Sequence, residues 1–241
     1  LWFFEQCGWE VESAVPLFEK YVRKVVEALK EYTSLWCTIN EPNVYALNGY
    51  VTGDFPTCKQ GHKGLNIAMK VLANMLRGHV AAYKAIHEIQ KEARVGYALH
   101  YRPMVAARPW FPLDTLMRNL QYNGVNMAFP SALSTGVMKS PLGSVSIPEV
   151  KGLQDYLGIN YYSVDTVKFD LTNTKELFGT RYYPADSDFS ATKFIANIPE
   201  GIFDSLKWAV NSYPNLPIII TENGVEDPDD KVRPRYLAQH L

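Results

Sequence analysis

Leu65 to His100 reads LNIAMKVLANMLRGHVAAYKAIHEIQKEARVGYALH, and two periods follow one another within it. Met69, Leu72, Met75, Leu76, Val80, Tyr83 and Ile86 recur at three- and four-residue steps, which predicts a helix over 65–90. Arg94 to His100 (RVGYALH) is then a short apolar run, which predicts a strand. Toward the N-terminus, Ser34 to Ile39 (SLWCTI) is another run of β-formers, stopped by Pro42, whose missing N–H cannot join a ladder; it predicts a buried strand. Before it, Val15, Phe18, Val22, Val25, Val26 and Leu29 predict a helix near 13–31, with Ser13 as its cap and Pro16 tolerated in its first turn. Toward the C-terminus the pattern predicts a helix within Leu113–Phe129, a strand at Asp155–Tyr162 (DYLGINYY), a helix near Pro199–Ser212, a strand at Leu216–Thr221 (LPIIIT) and the start of a helix over 231–241. Strands apolar along their whole length, alternating with helices, make an α/β fold with a parallel sheet covered by helices. Residues 163–198, full of Asp, Thr, Tyr and Phe, predict a long loop of the kind that carries binding groups.

With 47% hydrophobic and 20% charged residues in 241, the composition is that of a packed globular chain and excludes disorder. Lys plus Arg total 24 against 25 Asp plus Glu, so no positive field exists to neutralise phosphates or hold an anionic bilayer. Neither nucleic acid nor a membrane is an expected partner. No stretch approaches about 18 uninterrupted apolar residues, and Leu1–Glu10 lacks the form of a signal peptide. Cys7, Cys37 and Cys58 are an odd, sparse set, expected as reduced thiols in a cytoplasm. His62, His79, His87, His100 and His240 form no HExxH and no zinc-finger pair, so no metal is expected; His79 and His87 read as packing or surface residues of the long helix. Without a linker or an internal repeat, one domain is expected over 1–241. A first residue other than Met and an end within a helical pattern read as a fragment of a longer protein.

Two strands end alike: Thr38, Ile39, Asn40, Glu41 and Pro42 close one, and Ile220, Thr221, Glu222, Asn223 and Gly224 close the other. Ligands of parallel α/β folds bind at the carboxyl ends of strands, and a pair of carboxylates there can divide acid and base work. The plainer reading of either Glu is a solvated loop residue or one that serves a helix N-terminus. Asn40 could stabilise a turn, Gly224 could supply a positive φ, and Tyr161 and Tyr162 could be core or rim aromatics.

Asn40–Asn43 within TINEPN and Glu222 within ITENG resemble the two signature motifs of glycoside hydrolase family 1, the β-glucosidase family of retaining β-glycosidases. GINYYS at 158–163, the opening LWFFEQCGWE, GYVTGDFP at 49–56 and RPRYLAQHL at the end follow in the family's order, so the resemblance covers essentially the whole chain. It implies a (β/α)8 TIM barrel of which about strands four to seven and their helices are present, making 1–241 a partial catalytic domain. It implies Glu41 as general acid/base, Glu222 as nucleophile, Asn40 as a donor to the sugar 2-hydroxyl and Tyr162 as the hydrogen-bond donor that orients Glu222. It implies a small-molecule β-glycoside as substrate and no cofactor.

Cys7 stands where the family has the first Gly of GGW, and Val11 stands where an Asn caps the next helix. The family's groups for the sugar 3-, 4- and 6-hydroxyls belong to early strands and to strand eight, so sugar choice is not legible. A 6-phospho-β-glycosidase of the same family is the alternative within the enzyme class. A thioglucosidase is disfavoured because its acid/base position resembles Gln rather than Glu41. A sugar-binding, receptor-like barrel without catalysis is the alternative outside it, and loss of either glutamate would have favoured that.

Overall fold

A computed structural model describes residues 2–55 and 64–241. Cys58, His62 and the last residue of the GYVTGDFP stretch lie outside the described residues. The helices are α1 (Trp2–Glu5), α2 (Ala14–Leu29), α3 (Pro42–Leu47), α4 (Leu65–Ile89), α5 (Pro112–Asn126), α6 (Ala128–Thr135), α7 (Glu200–Ser212) and α8 (Arg233–His240). The strands are β1 (Leu35–Asn40), β2 (Arg94–His100), β3 (Met104–Ala106), β4 (Val137–Ser140), β5 (Gly143–Ser146), β6 (Tyr156–Asn160), β7 (Asp165–Phe169), β8 (Gly179–Tyr182) and β9 (Ile218–Glu222). The principal sheet has the order β1-β2-β6-β9. Every expected helix and strand of the alternating pattern is present. Among the described residues no helix is long and apolar enough to cross a membrane.

The chain divides into two compact units, one of Leu1–Leu99 with Asn123–Leu157 and one of His100–Tyr122 with Gly158–Leu241. In the first, β1 and β2 pair in parallel from Leu35↔Arg94 to Asn40↔Ala98. Val22 and Val26 of α2, Ala82 and Ile86 of α4, and Val95 of β2 form one buried cluster, with Trp36 of β1 packed on it. That is the apolar stripe of two amphipathic helices closing on the sheet. Gly96 answers to a close approach: a Cβ there would lie 2.5 Å from the Tyr156 carbonyl oxygen, so the backbones of β2 and β6 leave no room for one.

β1 is less buried than its apolar run predicts. Leu35, Cys37 and Asn40 are exposed while Ile39 is buried, whereas β2 and β6 are buried almost throughout. The order explains the contrast, because β1 ends the row and the other two lie inside it. Ser13 does not cap α2: its backbone is helical and its side chain makes no capping bond. The first N–H groups of α2 are taken up instead by the preceding turn, Ala14 donating to Val11 and Val15 to Glu12. The helix expected within 113–129 is α5, which stops at Asn126; a further helix, α6, starts after Met127, and Pro130, without an N–H, fits its first turn.

His79 is fully buried, which decides between the two sequence readings in favour of packing. Its Nε2 donates to the Leu153 carbonyl at 2.6 Å and its Nδ1 meets the Thr38 hydroxyl at 2.7 Å. Burial pushes the imidazole down to about 4, against 6.5 for an exposed ring. The unfolded chain therefore takes up a proton below pH 6.5 that the folded chain refuses until about pH 4. Stability from this site is complete above pH 6.5 and falls through that window by about 3 kcal/mol, at 1.36 kcal/mol per unit. Urea unfolding of the wild type and of His79→Gln across the window should differ in slope by that amount; parallel curves would show that His79 is not the group responsible.

Cys7 occupies a left-handed conformation at φ 66° and ψ 11°. A β-carbon there costs about 1–2 kcal/mol, which a glycine avoids while losing about 0.5–1 kcal/mol of unfolded-state freedom. Cys7→Gly is expected to raise stability by about 0.5–1 kcal/mol, read from denaturant unfolding.

In the second unit, residues 163–198 are not one long loop. β7 pairs in parallel with β3 and antiparallel with β8, giving a sheet of order β3-β7-β8. Three to five residues with mixed polarity leave too short a pattern for periodicity to detect, and the same holds for the β4–β5 hairpin. Asp165 of β7 is buried and receives Arg102 at 2.9 Å, and the buried Asp114 of α5 receives Arg108 through both carboxylate oxygens.

Candidate functional site

Glu41 is the first residue after β1 and stands in the left-handed region, at φ 46° and ψ 54°. A glutamate rarely adopts this geometry, and its cost of about 1–3 kcal/mol persists only where the surroundings over-determine it. They do so here. The Glu41 N–H donates to the Ala98 carbonyl on β2 at 2.8 Å, the Glu41 carbonyl accepts from Tyr45 N–H at 3.0 Å, and Pro42 opens α3 with its own φ locked. The Glu41 side chain makes no capping bond to α3, which weakens the plainer reading of a helix-capping carboxylate. Asn40, exposed at the end of β1, follows a register shift between Cys37 and Asn40. Such irregularities re-aim the side chains at a strand end.

Glu222 is the last residue of β9, in the second unit. Tyr162, two residues beyond β6, donates its hydroxyl to Glu222 Oε2 at 2.5 Å. The two neighbouring tyrosines thus part company. Tyr161 is wholly buried and donates its hydroxyl to the Ile198 carbonyl at the approach to α7, whereas Tyr162 is half-buried and meets the carboxylate. The His100 ring, at the end of β2, lies 5.3 Å from that of Tyr162. Tyr162 and Glu222 are brought together, as are Asn40 and Glu41, each pair within its own unit. Among the described residues no group of three or more His, Cys, Asp or Glu side chains could hold a metal ion.

Asn223 and Tyr236 were not singled out by sequence reasoning as site residues, yet both bond to the backbone that carries Tyr162. Their signal lay in the quoted motifs ITENG and RPRYLAQHL, which name residues without saying what they touch.

The sequence profile of glycosyl hydrolase family 1 matches residues 3–241. The chain belongs to that family. A β-glycosidase from Pyrococcus horikoshii superposes with a TM-score of 0.86 at 29% identity, covering all of this chain and 54% of that one. A β-glucosidase from Exiguobacterium marinum superposes at 0.83 with 26% identity, covering all of this chain and 58% of that one. The chloroplastic galactolipid galactosyltransferase of Arabidopsis thaliana is 27% identical over 100% of this chain and 36% of its own length. The chain thus spans between about a third and three-fifths of the relatives named here. The solved relatives are family 1 (β/α)8 barrels, and the α/β architecture with a parallel sheet matches about half of each, as the resemblance implied.

Proposed function

We propose that the protein carrying this chain is a retaining β-glycosidase that hydrolyses O-linked β-glucosides or related β-glycosides, with Glu222 as nucleophile and Glu41 as general acid/base. Residues 1–241 are read as part of its (β/α)8 catalytic domain, about strands four to seven. The observation that carries the reading is the Tyr162 hydroxyl on Glu222 Oε2, at the carboxyl end of a strand in a family 1 chain. A phenol on one carboxylate oxygen fixes the plane of the carboxyl group, which is what an attacking group needs.

In the first step a Glu222 oxygen bonds to the anomeric carbon as the bond to the leaving oxygen breaks, and Glu41 gives that oxygen its proton. In the second, Glu41 takes a proton from water, the water oxygen bonds to the anomeric carbon, and the ester bond to Glu222 breaks. Two inversions return the original configuration, and retaining enzymes hold their carboxyls about 5 Å apart for this. Asn40 is assigned to the sugar 2-hydroxyl, whose hydrogen bonds strengthen in the transition state. No step calls for a cofactor.

Proton NMR of the reaction with an aryl β-glucoside tests the reading. The β-anomer of glucose should form first; the α-anomer first would exclude the double displacement. Turnover of the 6-phosphorylated glycoside alone would move the substrate to that class, and binding without turnover of either would support a sugar-binding module.

A further inference from the structure

Glu222 and Tyr162 stand inside a closed ring of contacts. Asn223 follows Glu222 in the chain, and its Nδ2 donates to the Tyr161 carbonyl at 2.9 Å and to the Tyr236 hydroxyl oxygen at 3.2 Å. Tyr236, on α8, donates its hydroxyl to the Tyr162 carbonyl at 2.9 Å. Tyr162 closes the ring with its own hydroxyl on Glu222 Oε2. The main chain runs alongside, Tyr161 N–H donating to the Glu222 carbonyl at 3.0 Å.

Tyr236 has no solvent exposure, stacks on the His240 ring at 3.9 Å, and packs with Ile195 and Val225 against Tyr162. Burial pushes its phenol up to about 12, so the hydroxyl keeps its proton and stays a donor at neutral pH. The carbonyls of Tyr161 and Tyr162 are thereby both pinned, and they bracket the main-chain unit from which the Tyr162 phenol projects. A small rotation there would swing the far end of that phenol away from the carboxylate.

We propose that Tyr236 is a positioning residue for the nucleophile, holding the Tyr162 main chain and the Asn223 amide so that the Tyr162 hydroxyl meets Glu222. The inference rests on the reading of Glu222 as nucleophile. Acting only through Tyr162, the Tyr236 hydroxyl governs turnover rather than sugar binding.

The test is a double-mutant cycle in the active full-length protein. Tyr236→Phe retains the stacked, packed ring and removes only the hydroxyl. Its kcat for an aryl β-glucoside should fall about three- to tenfold, the range of one hydrogen bond, with KM within about twofold. In a Tyr162→Phe background the same substitution should change kcat by less than about twofold, because the route to Glu222 is already cut. An equal loss in both backgrounds, a loss confined to KM, or no loss at all would overturn the proposal. Should Tyr236→Phe unfold, Asn223→Ala removes the amide that holds the same hydroxyl and enters the cycle with the same expectation. A wild type without glycosidase turnover, or an active Glu222→Ala, would remove the reading underneath rather than this inference.

Discussion

Glu222→Ala is expected to lower turnover of a β-glucoside by at least about 10⁴-fold, because it removes the carboxylate proposed to form the glycosyl-enzyme. The fold should survive, since Glu222 is a half-exposed strand-end residue and the neighbouring buried side chains, Tyr161, Val225 and Tyr236, remain in place. Added azide should restore activity by entering the space the carboxylate vacated while Glu41 still protonates the leaving oxygen. One displacement inverts the anomeric carbon, so the product is the α-glycosyl azide. A β-glycosyl azide would instead mean that Glu222 is the acid/base, and near-normal turnover would mean that it is neither.

Removal of the Glu41 carboxyl should cost about 10²–10⁴-fold with a poor leaving group, the usual worth of a general acid. With a dinitrophenyl glycoside, whose leaving oxygen needs little protonation, the glycosylation step should slow only slightly. Equal slowing with both would show that Glu41 supplies something other than a proton. The backbone adds a second, independent readout. At φ 46° glycine is at ease and glutamate is strained, so Glu41→Gly should lose the acid yet gain about 1 kcal/mol of stability, whereas Glu41→Ala keeps the strain and loses the acid alone. A glycine variant less stable than the alanine variant in denaturant unfolding would show that the backbone at position 41 is not strained. Activity lost with stability gained is the pattern of a residue held in place for function.

The helices and strands of the alternating pattern were legible because their causes are local. Leu72, Met75, Leu76, Val80 and Ile86 lie within four turns of one another, and all are buried in α4. Pro42 after β1 and the Asn–Gly after β9 mark strand ends for reasons that act within two or three residues. The family, too, was legible, because TINEPN, GINYYS and ITENG are contiguous strings. Where local causes ran out, so did the reading. β3, with three residues, and the β7–β8 pair could not declare themselves by period, and the hydrogen bonds that make them strands go to distant partners.

By itself, then, the chain's sequence determined the α/β class, the family, and the two glutamates at strand ends. Tertiary structure alone decided that Glu41 is held left-handed by a bond to Ala98 on the next strand, that Tyr161 turns away to the Ile198 carbonyl, and that the Tyr236 hydroxyl holds the Tyr162 carbonyl. The physical reason is distance along the chain. Tyr162 and Tyr236 are 74 residues apart. A hydrogen bond needs its donor and acceptor within about 3 Å and aligned, a condition that no spacing along a sequence encodes and only the packed backbone can satisfy.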